Sequence, residues 1–371
     1  MKSWKEMAWP ERLKVMVMSL LPAVLLLAVA QTYAYLTVYR DIQVEDDPIH
    51  GTPAVYRMHF GKAWWGQATE TPLNRLGFPD DEFTDLGAKG VCLHVVVSGD
   101  SFVFGDAVDR HRNFFSLVER AMGRTYPDRC IRFFNIGQRM TTIQEQRERI
   151  RETSALLQPD IVILGQYQND LTDLTNPGNV AHQPPDSTAE GVWWGNVIRE
   201  RVPLANASLT RFLTYRAFAF MITHGIRYDI LSQWSVLADD RNEELAARLT
   251  SIYEDMFVGL AADLEAEGVE FGTVIMPSKL DLLAGRYPEG EFFSRLAKEN
   301  GIPYLTVYEA LDRERSDYPY QMYDGHLSEA GNAVVAREIF TWLTENGDAP
   351  PFRSLAAALT EPPAAVAASP E

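Results

Sequence analysis

The sequence predicts an α/β body of three layers, with a central parallel sheet and helices on both faces, behind one N-terminal transmembrane helix. Two observations carry this. Short apolar runs rich in β-branched residues alternate with longer amphipathic stretches along most of the chain, the pattern of a parallel sheet covered on both sides. Ahead of them lies a long uncharged segment with basic residues on one side only. The 371 residues exceed one minimal domain and fall short of three, and 46% hydrophobic with 23% charged residues excludes wholesale disorder.

The charge is uneven. Residues 1–40 carry five basic groups against two acidic ones, while the remainder carries 29 against 49, so that the whole chain stands at −17. An acidic body sets aside nucleic acid as a partner. Within the leader, residues 1–14 hold Lys2, Lys5, Arg12 and Lys14, and Val15–Tyr39 holds no charge. As helix those uncharged residues span roughly 37 Å, enough to cross a bilayer. The basic flank places the N-terminus in the cytoplasm, and Tyr33, Tyr35 and Tyr39 cluster at the opposite end as interfacial aromatics do. The predicted location is therefore the inner membrane, single-pass, with the body periplasmic. The competing reading is a signal peptide cleaved after Ala28-Val29-Ala30, which would secrete the body.

The body's elements follow in order. Val91–Ser98 is a strand, Phe114–Met122 a helix, Cys130–Ile136 a strand, Thr141–Leu157 an amphipathic helix and Asp160–Leu164 a third strand. Glu243–Glu267 is a long helix and Val269–Met276 a strand stopped by Pro277. Phe292–Glu299 is a helix, Ile302–Val307 a short strand and Ala330–Glu345 the closing helix. Residues 41–89 lack periodicity and read as an irregular extension, and 90–347 form the main domain. Residues 171–240 are too long for a connection and read as an insertion over the site. Residues 348–371, rich in Ala and Pro, read as a disordered tail.

Chemistry is expected beyond the carboxyl ends of the strands. Gly99-Asp100-Ser101 follows the first strand, Asn135-Ile136-Gly137 the second, and Gly165-Gln166-Tyr167-Gln168-Asn169-Asp170 the third, while Asp324-Gly325-His326 precedes the closing helix. Each block alone is ordinary turn or capping chemistry. Together they supply a serine, amide donors and an Asp/His pair, which is what acyl transfer through a serine ester requires.

The four blocks, in this order over residues 91–345, resemble the SGNH (GDSL-type) hydrolase superfamily, whose fold is flavodoxin-like. Leu73-Asn74-Arg75-Leu76-Gly77-Phe78 resembles an Asn-x-x-Gly-Phe stretch of its membrane-anchored bacterial members. The resemblance implies Ser101 as nucleophile, with its own N–H, the Gly137 N–H and the Asn169 side chain as oxyanion hole. It also implies His326 as base and then acid, and Asp324 as its orienting partner. Two departures stand out. The acid usually lies three residues before the histidine, where this chain has Tyr323, and Asp324 lies two before. Met140 occupies a position that is often glycine. His94 lies inside a strand and reads as structural, and the remaining histidines match no block.

The implied activity is a serine esterase or O-acyltransferase acting on acetyl-type groups of cell-envelope or exported polysaccharide, with polysaccharide assembly proteins as further partners. A lipase or thioesterase acting on lipid acyl chains is the alternative within catalysis, and a silent polysaccharide-binding protein the alternative outside it. Trp193 and Trp194 are weak candidates for stacking on sugar, since paired tryptophans also serve packing. No metal or organic cofactor is expected. Two cysteines exclude a disulfide-dense scaffold and a four-cysteine zinc site. Cys92 and Cys130, near the starts of neighbouring strands, form either a disulfide in an oxidising compartment or two small buried hydrophobes.

Overall fold

The computed structural model describes residues 8–38, 73–83, 92–106, 108–139, 141–174, 235–238, 243–314, 319–320, 325–345 and 350–360. The chain divides into two units, one of residues 1–41 with 185–218, the other of residues 42–184 with 219–371. In the first unit the described residues form α1 (Trp9–Val38), and none of the described side chains of its segment Trp9–Ala30 is buried. It has the length and composition of a membrane span or of a signal sequence. Pro22 lies inside this helix, as membrane spans tolerate.

The second unit is built on five parallel strands: β1 (Leu93–Gly99), β2 (Ile131–Asn135), β3 (Ile161–Tyr167), β4 (Glu270–Met276) and β5 (Tyr304–Thr306). Their spatial order is β2-β1-β3-β4-β5, a doubly wound order of the flavodoxin type with its switch point between β1 and β3. Register runs from Val95 beside Phe133 and Ile161 to Thr273 beside Tyr304. β1 is buried along its whole length, in keeping with its largely apolar sequence, in which His94 and Ser98 are also buried.

Side-chain alternation splits the core into two layers. Val95, Val97, Ile161, Ile163, Val274 and Met276 face one side. There they meet α3 (Phe114–Thr125), α9 (Tyr308–Arg313) and α10 (Glu329–Glu345) through residues such as Phe115, Leu311 and Ile339. Val96, Val162, Leu164 and Ile275 face the other side. Their partners are α4 (Ile143–Leu157), α6 (Glu243–Ala266) and α8 (Pro288–Glu299), through Ile150, Phe257 and Phe293. Each such fully buried side chain contributes about 1.5–3 kcal/mol relative to exposure. Three short helices complete the unit: α2 (Ser101–Phe104), α5 (Asn169–Asp173) and α7 (Lys279–Ala284).

Cys92 and Cys130 are bonded to each other. They precede the first rung of the β1–β2 ladder, where Leu93 pairs with Ile131 and the Leu93 N–H donates to the Cys130 carbonyl at 2.8 Å. Closing this 38-residue separation contributes about 4 kcal/mol in the chain-entropy account.

The expectation of a disordered tail from residue 348 is corrected. Arg353–Thr360 is a helix, α11, and Phe352 and Leu355 are buried in the first core layer. The Phe352 ring meets Trp342 edge-on at 5.5 Å and fills space that glycine leaves at Gly272. Glu270, opening β4, accepts the Arg353 and Ser354 N–H groups at 2.7 Å each and so caps the helix. An Ala-rich composition hid a short helix whose cap lies 83 residues upstream. The rest of the tail, most of the extension at 41–89, most of the insertion at 171–240, and with them Trp193, Trp194, Met140, Tyr323 and Asp324, lie outside the described residues.

Candidate active site

The turn after β1 sets the serine. Asp100 caps α2, accepting the Phe102 N–H on Oδ1 at 2.9 Å, and the Gly105 and Asp106 N–H groups close the turn on the Ser101 carbonyl at 3.0 Å each. A Cβ at Gly99 or at Gly165 would overlap Val103 Cγ2, and one at Gly137 would overlap the Phe104 backbone. These three glycines, at the end of β1, two residues before the end of β3 and two residues beyond β2, let α2 sit directly on the sheet edge with Ser101 at its first position.

The histidine comes from the other end of the chain. Leu327 bridges to Tyr320, and the Ser328 N–H donates to the Pro319 carbonyl at 2.9 Å. Ser328 Oγ accepts the Gly331 N–H, opening α10. Asn332 donates to the Ser328 carbonyl at 2.9 Å, while its Oδ1 accepts the Phe114 N–H at 3.1 Å, so the loop is tied to the start of α3. The result is a 2.7 Å contact between His326 Nε2 and Ser101 Oγ. If Nε2 accepts the serine proton, Nδ1 carries the ring hydrogen. Phe102 stacks on Tyr167 at 3.8 Å and lies 5.1 Å from the imidazole, walling one side.

The second loop is clamped from upstream. Asn74 Oδ1 accepts the Leu76 and Phe78 N–H groups at 3.0 Å, folding the Asn-x-x-Gly-Phe stretch into a tight turn in which Gly77 takes φ +84°. Phe78 enters the second core layer, and Asp80 Oδ2 accepts the Asn135 N–H at 2.7 Å. Burial, outweighing that bond, pushes the Asp80 carboxyl up to about 7. Asn135 donates to the Val103 carbonyl at 2.7 Å, and its Oδ1 accepts the Gly137 N–H at 2.9 Å. The Gly137 N–H is thus directed at Asn135 here.

Asn169 opens α5. Its Nδ2 donates to Asp173 Oδ2 at 2.8 Å, and its Oδ1 is buried without a hydrogen bond. Asp100 and Asp170 are both fully buried nearby, and Asp170 Oδ2 accepts the Tyr167 N–H at 2.8 Å. Burial first, then the neighbouring Asp100 charge, pushes the Asp170 carboxyl well up and Asp173 up to about 7. Asp100 is also raised by burial, against the favourable His326 charge and Asn169 amide. Burial and mutual repulsion both work against ionising these carboxyls together.

Two residues that the sequence did not suggest stand at the mouth. Asp106 Oδ2 lies 3.8 Å from His326 Nε2, and its Oδ1 pairs with Arg139 Nε. The Arg139 guanidinium covers the Phe104 ring at 4.5 Å. The sequence separation of 33 between Asp106 and Arg139 left no local signal. His94 is structural, as expected: its Nδ1 donates to the Leu157 carbonyl at 2.7 Å. Among the described residues no group of three or more His, Cys, Asp or Glu side chains is arranged to hold a metal ion.

No protein-family model and no curated protein matches the chain. Among solved structures it is similar to a member of the lipolytic protein G-D-S-L family from Veillonella parvula, at 12% identity and TM-score 0.38, over 68% of this chain and all of that one. It is similar to a catalytic mutant of an acetylxylan esterase from Geobacillus stearothermophilus, at 16% identity and TM-score 0.38, over 67% of this chain and 92% of that one. It is similar also to an α/β hydrolase enzyme from the metagenome of Lake Arreo, at 15% identity and TM-score 0.39, over 67% and 93%. Identities and scores this low transfer no activity, and the chemistry of this chain is argued from its own side chains.

Proposed function

We propose that this chain is a serine ester hydrolase of the SGNH type, or an O-acyltransferase by the same route, acting on acetyl-type groups of envelope or exported polysaccharide. The observation that carries the reading is the 2.7 Å contact between Ser101 Oγ and His326 Nε2 at the sheet edge. A serine hydroxyl is nearly inert until a base takes its proton, and the imidazole stands at the distance that transfer needs. As Oγ attacks the ester carbonyl, its proton passes to Nε2 and the carbonyl oxygen becomes an oxyanion. The donors assigned to it are the Ser101 N–H, the Gly137 N–H turned from Asn135, and the second Asn169 Nδ2 proton. Collapse returns the proton from His326 to the leaving alkoxide and leaves an acyl-serine. Water gives net hydrolysis; a sugar hydroxyl gives transfer.

Asp324 is assigned to hold the Nδ1 hydrogen. The apolar α1 supports an exported body anchored at the membrane, and the Cys92–Cys130 disulfide supports an oxidising compartment. Labelling of the full chain with a fluorophosphonate probe tests the reading. Wild type is expected to label and to hydrolyse p-nitrophenyl acetate, whereas Ser101→Ala and His326→Ala lose both. A folded wild type that takes no label turns the reading to a silent scaffold.

A further inference from the structure

A cavity of about 530 Å³ lies beside α8 and the edge strand β5, apart from the Ser101 site and within the range of small-ligand pockets. Its wall carries three cations, Arg286, Arg295 and Lys298, all exposed. Among the described residues neither Arg295 nor Lys298 is engaged in an ion pair. In a chain of net charge −17 this is a local concentration of positive charge, tempered by Glu291 and Glu309 on the same wall.

Three tyrosines complete it. Tyr308 stacks on the buried Tyr287 at 5.1 Å and 21°, which fixes its ring, and Tyr304 stands half-buried on β5. Ring faces of this kind suit the C–H face of a sugar, cations suit a carboxylate, and the two glutamates accept hydroxyl hydrogens. An acyl chain would instead need an unbroken apolar wall.

The position links this cavity to the chemistry. Thr306 ends β5 and Tyr308 begins α9, so the cavity reaches the same carboxyl edge of the sheet as Ser101. From β1 to β5 the sheet order has three intervals, which at strand spacing is about 14 Å.

We propose that this cavity is a second saccharide site that binds an acidic sugar unit of the polymer whose acyl group is presented to Ser101. The proposal rests on the glycan reading of the catalytic site and narrows it to uronate-bearing chains.

The test is calorimetric titration of the detergent-solubilised full chain with trigalacturonate, and with xylotriose as the neutral control. Trigalacturonate is expected to bind and xylotriose to bind at least about tenfold more weakly, with the Arg295→Ala/Lys298→Ala double variant losing about tenfold for trigalacturonate alone. Tyr308→Ala should weaken both sugars. Hydrolysis of p-nitrophenyl acetate should be unchanged in all variants, which certifies their folding and the Ser101 site. Equal binding of the two sugars, no binding of trigalacturonate, or wild-type affinity in the double variant each overturns the proposal. A wild type that binds trigalacturonate but cleaves no ester leaves this site standing and removes the catalytic reading.

Discussion

The turn after β1 and the turn after β3 share an outline, each a strand running into a one-turn helix at the sheet edge, yet they are held by different forces. The turn after β1 is closed by backbone bonds to the Asp100 and Ser101 carbonyls and wedged by Val103 above Gly99 and Gly165. None of those contacts titrates. The turn after β3 is held by carboxyls: Asp170 takes the Tyr167 N–H and Asp173 takes the Asn169 amide, and both have raised pKa values. The first turn is thus held mainly by backbone bonds and packing, with the buried Asp100 carboxyl as its one titrating cap, while the second hangs on two titrating carboxyls.

The largest effect expected on that contrast comes from the turn after β3. If Asn169 is an oxyanion donor as proposed, Asn169→Ala should lower kcat by roughly 10²–10³-fold. A defect confined to KM would break the assignment, because oxyanion contacts form chiefly in the transition state.

Next is Asp324, proposed as the orienting partner of His326. In serine-protease triads an Asp→Asn change costs about 10⁴ in kcat. Asp324→Asn is expected to cost less, but more than about threefold, at unchanged thermal stability. A smaller loss makes Asp324 a turn former only.

The finest probe is Asp173→Asn, which keeps an acceptor for Asn169 but removes the titration. A carboxyl raised from 3.8 to about 7 binds its proton more tightly folded than unfolded. Its contribution to stability is full below its ordinary value and is lost as pH rises toward 7. The variant should therefore gain on wild type as pH rises from 5 to 8, by about 2–4 kcal/mol at most, and should lose one limb of the kcat–pH profile. Parallel melting curves at both pH values would place Asp173 among structural residues and erase the contrast between the two turns.

Much of the fold was legible because strand and helix periods leave distinct marks. Val91–Ser98 and Asp160–Leu164 read as buried strands, and the structure places β1 and β3 there with shifted ends. Short helices were not legible. α2, α5 and α7 have no room for a periodic pattern, and α11 is held by Glu270 and by the pocket around Phe352 rather than by its own sequence. Ser101, Gly137, Asn169 and His326 could be singled out as candidates from their blocks, and of these the structure brings Ser101 and His326 within 2.7 Å. Asp80, Asp106, Arg139 and Asp173 could not be singled out, because each acts through a partner or a burial that no local spacing records.

By itself the sequence determined the layered α/β class, the apolar leader and the order of the chemical blocks, since these depend on local periodicity, composition and residue type. Only the tertiary structure decided which groups meet. His326 reaches Ser101 across 225 residues, Cys130 bonds Cys92, and the Asn169 amide is shared with Asp173 amid buried acids. Distances of this kind are set by how strands order themselves in the sheet and how tightly glycines let α2 descend, and the energy of a buried charge depends on neighbours that only packing supplies.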